Sequence, residues 1–138
     1  MKKLLLIFML AGLLACNKED NDDDAGNYSN DAWVLVEEYY DPGDGSGDFE
    51  PTNKSLSITW NDDNSFSASG NLCSLSLDNE TTTEGTFNVD TEEMYVTNCE
   101  GAPENTYTLT YELNETELLV YFPCIEGCAL KFAKVLAL

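Results

Sequence analysis

The sequence predicts an all-β fold, a small up-and-down barrel of about eight antiparallel strands, on three observations. No segment after residue 30 shows sustained helical periodicity, whereas apolar and polar residues alternate in several places. The alternating segments are short and are separated by turn residues at regular spacing. Four cysteines in the same region suit a small exported domain braced by disulfides. Consecutive hairpins can close on themselves, which removes the exposed sheet edges.

The clearest strand covers residues 106–113. Tyr107, Leu109 and Tyr111 fall on one face, and threonines and Glu112 fall on the other, as in a half-buried strand. Turn-like segments follow several strands and predict hairpins. The other strands are predicted, in chain order, at residues 32–40, 55–60, 65–69, 72–77, 85–89, 93–97, 117–122 and 130–136.

The N-terminus has the pattern of a secretory signal peptide over residues 1–15. Lys2 and Lys3 precede an apolar run that is too short for a membrane span, which needs roughly 20 residues. The next residues, Leu13-Leu14-Ala15-Cys16, resemble the bacterial lipobox. This resemblance implies that Cys16 becomes the mature N-terminus and carries acyl chains such as palmitate, which attach the protein to a membrane. An ordinary secreted protein with a chance cysteine is the alternative.

Residues 16–30 are predicted to be an acidic tether, followed by one folded domain over 31–138. Lys18 and the acidic run at residues 19–24 resemble the surface-export signal of lipoproteins in some diderm bacteria. The resemblance implies an outer-membrane lipoprotein that is exposed on the cell surface. A plain solvated tether is the alternative, because a charge block of this kind stays disordered in either case.

The charge balance excludes several functions. There are 26 acidic residues, six lysines, no arginine and no histidine, and the net charge is −20. Such a chain repels phosphate backbones, so no nucleic-acid partner is expected. Without histidine there is no Ser-His or Cys-His pair, and without arginine there is no phosphate clamp. We therefore predict neither an enzyme nor a cofactor, although an enzyme using paired carboxylates remains an alternative.

Apart from Cys16 the chain has four cysteines: Cys73, Cys99, Cys124 and Cys128. An even number in an exported domain predicts two disulfides, with three possible pairings. We favour Cys73–Cys99 and Cys124–Cys128, because only a short glycine-containing loop separates the latter two. A zinc site usually needs two close cysteine pairs, and a redox pair usually has a two-residue spacing, so both are weaker readings.

The loop over residues 41–50 is a weak calcium candidate. Its possible ligands are Asp41, Asp44, Asp48 and Glu50. Their spacing does not match an EF-hand, because Phe49 stands where that loop would need glycine. An ordinary acidic loop, or a lid over the mouth of the barrel, is the alternative, and no metal site is predicted.

Two sets of residues carry resemblances to known families. The segments Leu56-Ser57-Ile58-Thr59-Trp60, Ser65-Phe66-Ser67, Glu84-Gly85-Thr86-Phe87 and Glu117-Leu118-Leu119-Val120 look like strands of bacterial lipocalin-like domains. The loop from Asp41 to Phe49 and the run from Tyr121 to Phe132, with Pro123-Cys124-Ile125-Glu126-Gly127-Cys128, resemble a family of envelope lipoproteins. These resemblances imply a small lipocalin-like barrel but no particular substrate.

We therefore expect a lipid-anchored binding or interaction module of the cell envelope. Its partners would be the membrane, through Cys16, and either a small apolar ligand or an envelope protein. The alternative is a structural or protective surface lipoprotein whose packed barrel acts through loops and protein contacts. Periodicity does not separate the two, because an eight-stranded barrel is either filled by side chains or holds one small ligand.

Overall fold

A computed structural model describes residues 30–75 and 81–135 of the chain. The predicted signal peptide, Cys16 and almost all of the tether lie outside the described residues. The same holds for residues 76–77 of the predicted fourth strand and for residue 136 of the last one.

The described residues form an all-β structure, as predicted. Their only helical segment is a short 3-10 turn at Pro103–Asn105. The strands are β1 (Asp31–Tyr40), β2 (Asp48–Pro51), β3 (Ser57–Trp60), β4 (Ser65–Ser69), β5 (Thr82–Asn88), β6 (Glu93–Thr97), β7 (Thr106–Leu113), β8 (Glu117–Phe122) and β9 (Cys128–Lys134).

Eight of the strands close into an antiparallel barrel in up-and-down order. From β3 to β9 each strand pairs with the next, β3 also pairs with β1, and β9 returns to β1. Strand β2 lies outside this cycle. It pairs with the second half of β1, from Glu37 to Tyr40, while β3 pairs with the first half, from Asp31 to Val34. The predicted closed barrel is therefore confirmed, with β2 as an added edge strand.

Two predicted elements were wrong in detail. The predicted loop over residues 41–50 ends earlier than expected, because Asp48–Pro51 pair with the second half of β1 and form β2. The predicted strand at 72–77 is not a strand over its described part, 72–75. Leu72 is nevertheless fully buried. Its N–H donates to Thr83 Oγ1 at 3.3 Å, and the Thr83 hydroxyl donates to the Gly70 carbonyl at 2.6 Å.

A β-bulge divides β1 into two halves. The register with β9 shifts between Leu35 and Glu37, so Val36 is an extra residue. Before the bulge, Trp33 and Leu35 point into the core. After the bulge, Glu37 lies opposite Lys131 and forms an ion pair with it. The bulge therefore marks where β1 changes from a core strand to a polar one.

In the part of the chain that the structure describes, side chains fill the interior of the barrel. Trp60 stacks on Phe87 with ring centroids 4.2 Å apart, meets Tyr111 edge-on at 5.0 Å and lies 6.4 Å from Trp33. The largest fully buried side chains come from strands all around the barrel and from Leu56 and Leu72 beside them: Trp33, Trp60, Phe66, Phe132, Leu56, Ile58, Leu72, Met94, Leu109, Leu118, Leu130 and Val96. Dense apolar packing of this kind is the main stabilising contribution of a small domain.

The two ends of the barrel differ in their connections. The proximal end, where β1 begins at Asp31, has three tight turns, at residues 61–64, 89–92 and 114–116. The distal end, where β1 finishes at Tyr40, has the longer connections at 41–47, 70–81, 98–105 and 123–127. Long connections on a rigid scaffold are where proteins most often place binding residues.

Candidate functional site

Both disulfides lie at the distal end. Cys73–Cys99 joins the connection after β4 to the connection after β6, with Cα atoms 5.3 Å apart. Cys124–Cys128 closes the connection after β8, with Cα atoms 5.9 Å apart. The favoured pairing is thus the one in the structure. Covalent closure limits the conformations of these loops and holds their tips in place.

The loop over residues 41–47 is braced by the carboxylate of Asp41. Its Oδ1 accepts hydrogen bonds from the N–H groups of Gly43, at 2.7 Å, and Gly45, at 3.1 Å. The Tyr39 hydroxyl donates to Oδ2 at 3.4 Å. The Gly43 N–H is the main cause that lowers the pKa of Asp41, with smaller help from Gly45 and Tyr39. The side chain that sequence reasoning offered as a metal ligand therefore acts as a loop brace.

The four calcium candidates are not brought together. Asp44 accepts from the Ser46 N–H at 2.9 Å, and Asp48 accepts from the adjacent Phe49 N–H at 2.8 Å. Glu50 lies on β2 opposite Glu38. Within residues 30–75 and 81–135, no three His, Cys, Asp or Glu side chains are grouped so that they could hold a metal ion.

The two loops nearest the end of β1 form one continuous surface. The Asp41 N–H donates to the Gly127 carbonyl at 3.2 Å, which ties the first loop to the disulfide-closed one. Gly43 has φ of +98°, and a Cβ atom there would lie 2.7 Å from Glu126 Oε1. The positive φ favours glycine at this position, whereas the Glu126 side chain is flexible and could move away from an added Cβ atom. We call residues 40–47 and 123–127 the distal platform.

Two apolar side chains project from the distal platform. Ile125 has a relative accessibility of 102% and Tyr40 one of 66%, the two highest among the large exposed hydrophobic residues. Tyr40 pairs with Cys128, so both side chains belong to the same end of the barrel. Sequence reasoning did not single out Ile125. The available signal was an isoleucine among the three residues between Cys124 and Cys128, because a loop that serves only to close a disulfide does not need an exposed apolar side chain.

The described lysines are all paired with acids of β1. Lys54 meets Glu38 at 2.7 Å, Lys134 meets Asp31 at 2.6 Å, and Lys131 pairs with Glu37. Partial burial raises the pKa of Glu38, but hydrogen bonds from Lys54 and Thr52 outweigh it, and the pKa is lowered. The hydrogen bond to Glu37 raises the pKa of Lys131.

Among the described residues, no ion pair joins a lysine to the acids of the distal platform and of neighbouring β2, although Asp48 is near enough to Lys131 to help raise the pKa of that lysine. These acids are Asp41, Asp44, Glu126, Asp48 and Glu50.

The aromatic residues divide between the core and the surface. Trp33, Trp60 and Tyr111 are buried in the core. Tyr95 lies outside and its hydroxyl donates to Glu93 at 2.5 Å, which lowers the pKa of that carboxyl. Among the surface grooves, one of about 430 Å³ lies beside Cys73. Its walls are mainly Thr, Asn and Glu side chains, which suit a polar ligand rather than an apolar one.

These features define a class: a packed antiparallel β-barrel with long, disulfide-braced connections gathered at one end. Comparison of the chain with protein-family models, with curated proteins and with solved structures yields no match. In the part of the chain that the structure describes, no helix reaches the length and apolarity needed to cross a membrane.

Proposed function

We propose that this protein is a lipid-anchored interaction module of the cell envelope that contacts another envelope protein through its distal platform. Acyl chains on Cys16 would hold it at the outer membrane, since two or three chains give stable attachment where one gives only marginal binding. The barrel would serve as a rigid, non-enzymatic support. This proposal keeps the interaction module that the sequence suggested, with an envelope protein rather than a small apolar ligand as its partner, and it shares with the alternative function a packed barrel that acts through its loops.

The filled interior is the observation that carries the proposal. Trp33, Trp60, Phe66 and Phe132 are each at most 2% exposed and occupy the space that a lipocalin-type ligand would need. A small apolar ligand would have to displace this packing, at a cost of several kcal/mol for each large side chain removed from its site. Contact through the loops has no such cost.

The direction of β1 adds a geometric argument. The tether joins the domain at Asp31, and β1 then runs ten residues to Tyr40. At about 3.3 Å per residue this places the distal platform about 30 Å from the point where the tether enters. A barrel held by the lipid on Cys16 would therefore tend to present the platform away from its attachment point, where a partner can reach it.

Site-specific photo-crosslinking in cells tests the proposal. We expect p-benzoylphenylalanine at position 40, on the distal platform, to form a protein adduct on irradiation. The matched control is position 89, because Val89 is also exposed, at 37%, but lies in a proximal turn. Equal adducts at both positions, or none at position 40, would contradict the proposed interaction surface.

The anchor is tested separately by intact mass spectrometry of the protein extracted from membranes. We expect a chain that begins at Cys16 and carries acyl chains, with Cys73, Cys99, Cys124 and Cys128 resistant to alkylation until reduced. A chain that still begins with Met1 would refute the anchor.

A further inference from the structure

We infer that the partner of the distal platform is a protein surface with an apolar recess and a basic rim, into which Ile125 and Tyr40 insert. This inference rests on the proposed function, because it specifies the chemistry of the partner at that same site.

The first argument is the exposure of Ile125 in a loop that cannot fold away. An isoleucine side chain left in water forgoes about 1.5–3 kcal/mol of burial energy. The Cys124–Cys128 bridge and the hydrogen bond from the Asp41 N–H to the Gly127 carbonyl hold the loop in this arrangement. A side chain that is already in its bound position loses little entropy on binding, so such a residue is a good anchor.

The second argument is the neighbouring Tyr40. Tyrosine buries a large area while it keeps a hydroxyl for hydrogen bonding, and it is among the residues enriched at the centre of protein interfaces. Tyr40 lies at the last position of β1, whose pairing with Asp48 and Cys128 fixes the backbone. The remaining exposed valines are less accessible, at 37–48%, and none of them belongs to the distal platform.

The third argument is charge, which selects the partner. Asp44 and Glu126 on the platform, and Glu50 on adjacent β2, form no ion pair with a lysine among the described residues, whereas Asp48 is near enough to Lys131 to help raise the pKa of that lysine. At physiological salt, charges interact within roughly 8 Å, so these acids act on whatever binds at the platform. A second copy of the chain would bring like charges together, and anionic lipid headgroups would be repelled. A basic rim is the complementary partner.

The experiment uses the photo-crosslinking protein in isolated membranes, with the aromatic probe in place of Tyr40, so the comparison tests Ile125 and the charges around that position. Three proteins are compared, each with the probe at position 40. The first has no other change, the second carries Ile125→Ser, and the third carries the charge reversal Glu50→Lys with Glu126→Lys. The controls are Val89→Ser and the reversal Asp62→Lys with Glu115→Lys, which changes the net charge equally at the proximal end. Adduct yield is measured at about 0.05 M and about 0.5 M NaCl, between which the Debye length falls from about 14 Å to about 4 Å.

We expect Ile125→Ser and the distal charge reversal each to lower the adduct yield about fivefold, and high salt to lower the yield of the unaltered protein. The two proximal controls should change it less than twofold. The salt series needs no substitution, so it stands even if the charge-reversed protein misfolds.

Each contrary result has its own meaning. An adduct whose yield is unaffected by salt and by distal charge reversal overturns the basic partner but leaves the proposed function standing. An adduct at twice the mass of the chain identifies a second copy and also overturns the inference. Absence of any adduct at position 40 overturns the inference together with the proposed function.

Discussion

The two disulfides should stabilise the barrel unequally, by amounts that follow from the loops they close. Cys73–Cys99 closes a separation of 26 residues and Cys124–Cys128 a separation of 4. The loop-entropy relation, 2.1 + 1.5R ln n cal/mol/K, then yields about 3.5 kcal/mol for the first bridge and about 1.9 kcal/mol for the second at 25 °C. Replacing both cysteines of a bridge by alanine should lower the free energy of unfolding by about these values.

Urea unfolding followed by tryptophan fluorescence measures the difference, because Trp33 and Trp60 are both fully buried and report on the core. With an m value of about 1.5 kcal/mol/M, the midpoint should fall by about 2.3 M without Cys73–Cys99 and by about 1.3 M without Cys124–Cys128. The fully reduced wild-type protein is the control and should lose roughly the sum. The reasoning is refuted if removing the short bridge destabilises the barrel as much as removing the long one.

Three further predictions concern the core, the distal loop and the surface charge. Gly85→Ala should destabilise the barrel by about 1–3 kcal/mol, because the added Cβ would clash with the backbone carbonyl of Tyr95 and would lie 2.6 Å from the Phe66 ring. In the same urea assay exposed Thr86→Ala should change stability by under about 0.5 kcal/mol, and equal effects would contradict the packing argument. The pKa of Asp41 is lowered in the folded state, so the stabilisation from its hydrogen bonds is complete above the unfolded pKa and is lost as the pH falls through the lowered value. The NMR amide signals of Gly43 and Gly45 should therefore titrate together at a pH below the ordinary aspartate range. In Asp41→Asn these signals should not titrate there. The excess of acids over lysines predicts that thermal stability rises between about 0.01 M and about 0.15 M NaCl, because salt screens the repulsion between the acids. A decrease in thermal stability would show that the three ion pairs with β1 contribute more than the repulsion.

Local patterns along the chain were enough to locate most of the barrel. The strands β1, β3, β4 and β6 to β9 were all predicted. Alternation was the evidence for β3, β4 and β7, because a strand that buries one face must alternate, and apolar composition and hairpin order indicated the others. β5 was predicted shorter than it is, since Gly85 and the polar residues before it lack a strong strand signal. The disulfide partners also followed from sequence, because the two cysteines with a short intervening loop leave the other two to pair.

Leu72 shows where the same reasoning fails. Alternation indicates that a residue is buried, and a loop that covers the end of a barrel buries residues as well as a strand does. Leu72 is held in the core by the Thr83 hydroxyl and the nearby Cys73–Cys99 bridge rather than by a strand ladder. β2 shows the reverse case. Its four residues look like loop until the second half of β1, turned by the bulge, provides the partner.

The sequence by itself determined the features that depend on residue types and on near neighbours in the chain. These are the signal-like pattern at the N-terminus, the acidic charge, the short alternating strands and the number of disulfides. Tertiary structure alone decided whether the interior is filled, which carboxylates brace loops instead of converging, and that Tyr40 and Ile125 are both exposed at the end of the barrel opposite Asp31. These depend on residues far apart in the chain, and no local pattern records the distance between them.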